Sequence, residues 1–265
     1  MSTYVMTDIH GCYEDMMKML NKIEFTDFDT LILAGDYIDR GPNSFEMLKL
    51  IANHPDNMIM LCGNHDLEFA YNVELMESFA KNQDVDMSSC EDTRLIYTLI
   101  QQLSIQKGNG VSAFDYYGTI AELIEVNQVN LAQLIDWVKI IRDLSFFFIT
   151  EVCGRKYIIV HAGYTETLDG KDMDGSYDTM EAFYIYARDD AYISGGVEHG
   201  TVIAGHTPTI LEEELPYNNG EVYKMYDEEL DCTFYDIDCG CSYRERHLAA
   251  KLACIRLEDE AVFYV

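Results

Sequence analysis

Short apolar runs punctuate this chain, and five of them stop abruptly at a polar cluster. Tyr4–Met6, Thr30–Ala34, Met58–Cys62, Tyr157–Val160 and Thr201–Ala204 have the continuous apolar character of buried strands. Between the first three the period changes to that of a helix. Met16, Met17, Leu20 and Ile23 form one stripe. Met47, Leu48 and Ile51 form another, with Asn43 as cap and Glu46 placed to complete a capping box. The result is a βαβαβ unit, which implies parallel pairing and helices covering the sheet. From about Leu67 to Leu144 the period is helical throughout, broken at Lys107-Gly108-Asn109-Gly110. Its clearest helix is Asn130–Leu144, striped by Leu131, Leu134, Ile135, Val138 and Ile141, with Trp137 packing beside the stripe. Phe146–Val152 and Lys156–Val160 then predict a hairpin around Cys153-Gly154-Arg155, followed by a helix over Thr179–Tyr186. The last third is strand after strand: Thr201–Ala204, Glu221–Tyr226, Cys232–Ile237, Leu248–Leu257 and Ala261–Val265.

This order predicts an α/β fold, a four-layer αββα sandwich of two mixed sheets flanked by helices. No Pro/Ser/Gly-rich linker interrupts it, so we expect one domain over residues 1–265, with a helical cap insertion at about 67–144.

The clusters at the strand ends carry the chemistry. They are Asp8-Ile9-His10-Gly11, Gly35-Asp36-Tyr37-Ile38-Asp39-Arg40-Gly41, Gly63-Asn64-His65-Asp66, His161-Ala162-Gly163 and Gly205-His206-Thr207. Each alone is a weak signal; five in order, each after a strand, are a strong one. Their oxygen and imidazole donors suit two divalent metals ~3.5–4 Å apart, which can hold a hydroxide and clamp an in-line phosphoryl displacement. Such a pair needs a bridging carboxylate, and Asp36 at the end of the second strand is the natural one. Asp8 and His10 would then hold one metal, and Asn64, His161 and His206 the other.

Charge narrows the partners. Eighteen Lys and Arg stand against 47 Asp and Glu, a formal net charge of −29, and such a field repels polyanions. Neither nucleic acid nor a membrane is expected as a partner, since no run approaches the ~18 apolar residues of a membrane span. The runs Glu212–Glu214 and Asp227–Glu229 flank a turn at Asn218-Asn219-Gly220 and read as a solvated face. Eight cysteines without a Cys-x-x-Cys pair fit buried thiols in a reducing compartment, Cys12 among them. With Asp8 directly after the first strand there is no room for a cleavable leader, and a cytoplasmic location is expected.

The five motifs, together with Gly11-Cys12-Tyr13 and the closing Ile237-Asp238-Cys239-Gly240-Cys241, resemble the metallophosphoesterase (calcineurin-like) superfamily. Within it, they resemble most the small bacterial and phage form of the phosphoprotein phosphatases. The resemblance spans nearly the whole chain and is weakest in the helical cap. It implies two divalent ions, foremost manganese, with Fe, Zn, Ni or Co as alternatives, and attack by a metal-bridging hydroxide. It makes His65 the general acid, Asp39 its hydrogen-bonded orienter, and Arg40, Asn64 and Arg188 the contacts to phosphate; Arg188 ends Tyr184-Ile185-Tyr186-Ala187-Arg188, where the family pattern has Trp-x-x-Arg. The remaining histidines, His54, His199 and His247, fit no ligand slot.

The same metal set is similar to that of the bacterial diadenosine tetraphosphatases. Asp39, which that branch typically lacks, and Gly205-His206-Thr207-Pro208 favour a serine/threonine, possibly tyrosine, protein phosphatase acting on a phosphoprotein or phosphopeptide. A symmetrical dinucleoside polyphosphate hydrolase is the alternative, and a non-catalytic binding module a second one. A monomer is compatible with the sequence.

Overall fold

Strand β1 (Thr3–Met6) pairs in parallel with β2 (Thr30–Leu33), and β2 with β3 (Met58–Met60), so that Val5, Ile32 and Ile59 stand side by side. Helices α1 (Tyr13–Lys22) and α2 (Ser44–Asn53) make the two crossovers. The computed structural model describes residues 1–83, 85–107, 114–168, 177–193 and 195–265. Among them, α3 (Asn64–Lys81), α4 (Cys90–Lys107), α5 (Thr119–Glu125) and α6 (Leu131–Arg142) fill the chain up to β4 (Phe147–Val152) and β5 (Arg155–Val160). Then come α7 (Met180–Tyr186), α8 (Asp189–Ile193), β6 (Gly200–Ala204), β7 (Tyr223–Asp227), β8 (Cys232–Asp236), β9 (Ala253–Arg256) and β10 (Ala261–Tyr264). The strands form two five-stranded mixed sheets, ordered β10-β9-β1-β2-β3 and β4-β5-β6-β8-β7.

Strand period 2 explains how both faces of each sheet are buried. Val5, Ile32, Ala34, Tyr157, Ile159, Ile203, Tyr235 and Ile255 form one buried cluster, the layer between the sheets. Their alternates Tyr4, Met6, Leu31, Leu33, Ile158, Val160 and Val202 join the helical side chains Met16, Met19, Met47, Leu48 and Phe183 in the other. The four-layer αββα sandwich is therefore present, with helices outside. No helix among the described residues is long and apolar enough to cross a membrane.

Several boundaries differ from the sequence expectation, each for a local reason. On α1 Met16 and Met19 are buried, while Met17 is exposed, because 16, 19 and 23 share a face that 17 leaves. Asn43 precedes α2 but its side chain makes no cap, so the capping box does not form; its backbone N–H instead donates to the Gly11 carbonyl at 2.9 Å, tying the second loop to the first. Strand β9 is shorter than Leu248–Leu257, since Leu248 is fully exposed and Ala250 closes a turn back to His247. The break expected at 107–110 falls, beyond Lys107, outside the described residues. The hairpin turn at Cys153-Gly154 forms as expected, with φ of +52° and +79°.

Candidate metal centre

All five polar clusters emerge at one seam. Asp8 and His10 follow β1, Asp36, Asp39 and Arg40 follow β2, His161 follows β5, and His206 follows β6. Asn64 and His65 occupy the first turn of α3, which starts three residues ahead of the expected Leu67, so helix geometry aims them. The carboxyl ends of parallel strands from both sheets thus converge, as in other open α/β folds. Reaching the seam bends the backbone hard: Asp8, His10, Asp36, Asp39, Arg40 and His206 all take positive φ, between 46° and 70°. Two glycines let the carboxylates sit close. A Cβ on Gly63 would lie 2.2 Å from Asp36 Oδ1, and one on Gly205 2.2 Å from Asp8 Oδ2. Gly63→Ala should therefore displace Asp36 and cost about 1–3 kcal/mol of stability, as overpacking does, read as a lowered Tm with weakened metal uptake in a titration.

Asp36 lies at the middle. Its Oδ2 is 3.5 Å from His10 Nε2 and 3.9 Å from His65 Nε2, while Oδ1 is 3.5 Å from His161 Nε2. Two groups with donor atoms within 4.8 Å of one another share it: His10, Asp36 and His65 on one side, Asp36, His161 and His206 on the other. Asp8 Oδ1 stands 3.8 Å from His10 Nε2, its other oxygen accepting from Thr7 Oγ1 and the His206 N–H. Asn64 Oδ1 is 3.1 Å from His161 Nε2. All six residues expected to bind metal are brought together and buried.

The electrostatics fit metal. His10 Nδ1 donates to the Ile38 carbonyl at 2.8 Å and His161 Nδ1 to that of Ala34 at 2.9 Å, so both Nε2 atoms face the carboxylates. His10 Nε2 is buried and has no hydrogen-bond partner among the described residues. Burial, reinforced by the charges of Arg40 and His65, holds the His10 imidazole well below its ordinary range; burial and His161 do the same to His206. Both are therefore neutral, the form that binds metal. Burial, with Asp8 and Asp66 adding to it, pushes the Asp36 carboxyl well above its ordinary range, a penalty that a bound cation reverses.

On the solvent side lies an imidazole in a different setting. His65 Nδ1 donates to Asp39 Oδ2 at 2.7 Å, and Arg40 Nη2 donates to His65 Nε2 at 3.0 Å. Burial disfavours the imidazolium of His65, but Asp36 and the hydrogen bond to Asp39 outweigh it, and its pKa is raised. Arg40 lies between the rings of Tyr117 and Tyr243, 5.6 Å from each centroid. Arg188 comes near enough to His206 for its charge to be felt there, and pairs with Glu214 at 3.3 Å. Arg40→Lys keeps the charge but loses the planar fork. Steady-state kinetics should show KM for a phosphate ester rising roughly tenfold, equivalent to about 1.4 kcal/mol.

Four further residues serve the site without having been expected to. Asp66 accepts from the backbone N–H groups of Asp36, Tyr37 and Gly63, locking the second loop to the third; its place inside a ligand cluster was the available signal. Thr119 and Tyr117 reach the site from a segment without motifs, where nothing local in the sequence marks them, and Tyr243 from two residues past the closing motif. His54, His199 and His247 stay away from it: His54 bonds the Ile51 carbonyl, His199 pairs with Asp231, and His247 lies against Tyr243.

The family model described as calcineurin-like phosphoesterase matches residues 1–241. The chain belongs to this family. The phosphoesterase is 30% identical over 273 residues to a protein of Chromobacterium violaceum named bis(5'-nucleosyl)-tetraphosphatase, symmetrical, covering 99% of this chain and 94% of that one. A protein of the same name from Buchnera aphidicola is 38% identical over 112 residues, and the match spans 38% of each chain. Among solved structures, one provisionally assigned as a diadenosine tetraphosphatase superposes with a TM-score of 0.54 at 16% identity, over 99% of this chain and 92% of that one. A metallophosphoesterase from Sphaerobacter thermophilus superposes with a TM-score of 0.50 at 15% identity, over 100% and 86%. The phosphoesterase thus shares its layered sheets with both, and its family implies divalent metal at the Asp36 seam.

Proposed function

We propose that this phosphoesterase hydrolyses dinucleoside tetraphosphates, cutting the phosphate chain at its centre. The observation that carries the reading is the Chromobacterium violaceum relative, a named symmetrical tetraphosphatase aligned over nearly the whole of both chains. The geometry supports it. A cavity of about 250 Å³ between α3, the end of α6 and α7 is lined by Cys62, Leu67, Tyr71, Arg142, Ile185 and Tyr186, and Cys62 stands two residues before Asn64. Aromatic faces of this kind stack nucleobases.

Asp8, His10, Asp36, Asn64, His161 and His206 would hold two divalent ions, to which we assign manganese. Bound there, such ions lower the pKa of a water and polarise the phosphoryl oxygens. The chain's own residues do the rest. Arg40 and Arg188 would hold the non-bridging oxygens; once Arg40 turns from His65 Nε2 to the phosphate, the protonated imidazole can present its Nε2 proton to the leaving oxygen while Asp39 keeps Nδ1 fixed. One water is consumed and two nucleoside diphosphates leave. With manganese and diadenosine tetraphosphate the expected product is ADP alone; ATP with AMP would overturn the central cut.

One observation favours a second reading, hydrolysis of phosphomonoesters on protein side chains. The His65–Asp39 pair at 2.7 Å is a built proton donor. A phosphate leaving group, whose last pKa is about 6, has little need of one, whereas an alkoxide does. Offering a phosphoserine peptide and the dinucleotide to the same metal-loaded sample separates the readings: peptide consumed with the dinucleotide untouched would make the second the function.

A further inference from the structure

We infer that segment 115–121, the turn before α5 and its first residues, sets the competence of the general acid, with Thr119 as a positioning residue for the Asp39–His65 pair. The inference rests on the proposed phosphoester hydrolysis with His65 as acid. Thr119, the first residue of α5, is buried, and its Oγ1 donates to Asp39 Oδ1 at 2.5 Å. Asp39 Oδ2 accepts from His65 Nδ1, so the two oxygens of one carboxylate are held from opposite sides. A carboxylate held by one contact can rotate; held by both it fixes the plane and tautomer of the imidazole.

Thr119 is itself fixed. Asp115 Oδ1 accepts from the Ile120 N–H, and Asp115 Oδ2 from the Ala121 N–H and the Tyr97 hydroxyl, each at 2.9 Å. The same segment lays Tyr117 against His65, with ring centroids 4.9 Å apart, and against the Arg40 guanidinium. A stretch far from every metal loop in the sequence therefore touches the acid, its orienter and the phosphate arginine at once.

Chemistry gives the consequence. Water adds at phosphorus and gives up one proton to solvent, the bond to the leaving oxygen breaks with its electron pair going to that oxygen, the His65 proton neutralises it, and solvent returns a proton to His65. The need for that proton grows with the basicity of the leaving oxygen. Losing Thr119 Oγ1 should therefore harm slow-leaving substrates more than activated ones.

The test compares Thr119→Val and Thr119→Ser with the wild type, all loaded with manganese, on phenyl phosphate and para-nitrophenyl phosphate. These substrates differ in leaving-group basicity but share their size. The ratio of kcat for phenyl over para-nitrophenyl phosphate should fall about 10- to 100-fold in Thr119→Val, the usual range for removing an orienting partner. KM and metal content should stay as in the wild type, and Thr119→Ser should restore the ratio. Thr119→Ala removes the same hydroxyl and carries the comparison should the valine variant not fold. An unchanged ratio, or equal losses on both substrates, would overturn the inference. A metal-loaded wild type that hydrolyses neither ester nor the dinucleotide would instead overturn the proposed function.

Discussion

Asp36→Asn is expected to leave the protein folded but with neither metal ion retained and turnover lost. The carboxylate stands 3.5 Å from an imidazole nitrogen on each side and belongs to both donor groups, so a single substitution removes an anionic ligand from two ions together. Losing it should exceed the about 10²–10³-fold that removing one transition-state donor costs. The amide oxygen can still accept the His65 N–H that Asp36 Oδ1 takes at 3.0 Å, at the first turn of α3, so the loss falls on the metals rather than on the fold. Elemental analysis after dialysis, beside kcat on para-nitrophenyl phosphate, checks both parts. A variant that holds two ions, or retains wild-type turnover, would remove Asp36 from the bridge.

His65→Ala is expected to lower kcat by about 10²–10⁴-fold, the span of general acid–base catalysis, with both ions still bound. The two halves of this result come from different atoms. Nδ1 is committed to Asp39 and Nε2 accepts from Arg40, so both nitrogens have partners before any metal is considered. Yet Nε2 also lies 3.9 Å from Asp36 Oδ2, inside a donor group with His10. Metal content decides between the roles: loss of one ion in the alanine variant would make His65 a ligand rather than an acid.

The expected ligands were legible in the sequence because each stands where an apolar run stops, and a strand end is a local signal. Asp8, His10, Asp36, Asn64, His161 and His206 could all be placed on one edge from those stops. What could not be placed is held across long stretches of chain. Thr119 meets Asp39 80 residues away, and Tyr243 meets Arg40 across 203. Neither contact leaves a spacing or a composition to read. The cap at Asn43 failed for the opposite reason, since a sound local pattern was overridden by the loop's pairing with Gly11. Substrate choice was legible only in part: Asp39 points towards monoesters with basic leaving groups, while the full-length relative is named for a polyphosphate.

The seam between the sheets also has a place in time. The Asp8 carboxylate takes the backbone N–H of His206 across 198 residues at 2.9 Å, so the first motif made on the ribosome is completed by the last. Non-local closures of this kind come late, because chain entropy is lost before the contact rewards it. The βαβαβ half can emerge with its Asp8, His10, Asp36 and Asn64 well before His161 and His206 exist to face them. A nascent chain is then expected to be hydrolytically silent until β6 has docked. Onset of activity during refolding should report that docking.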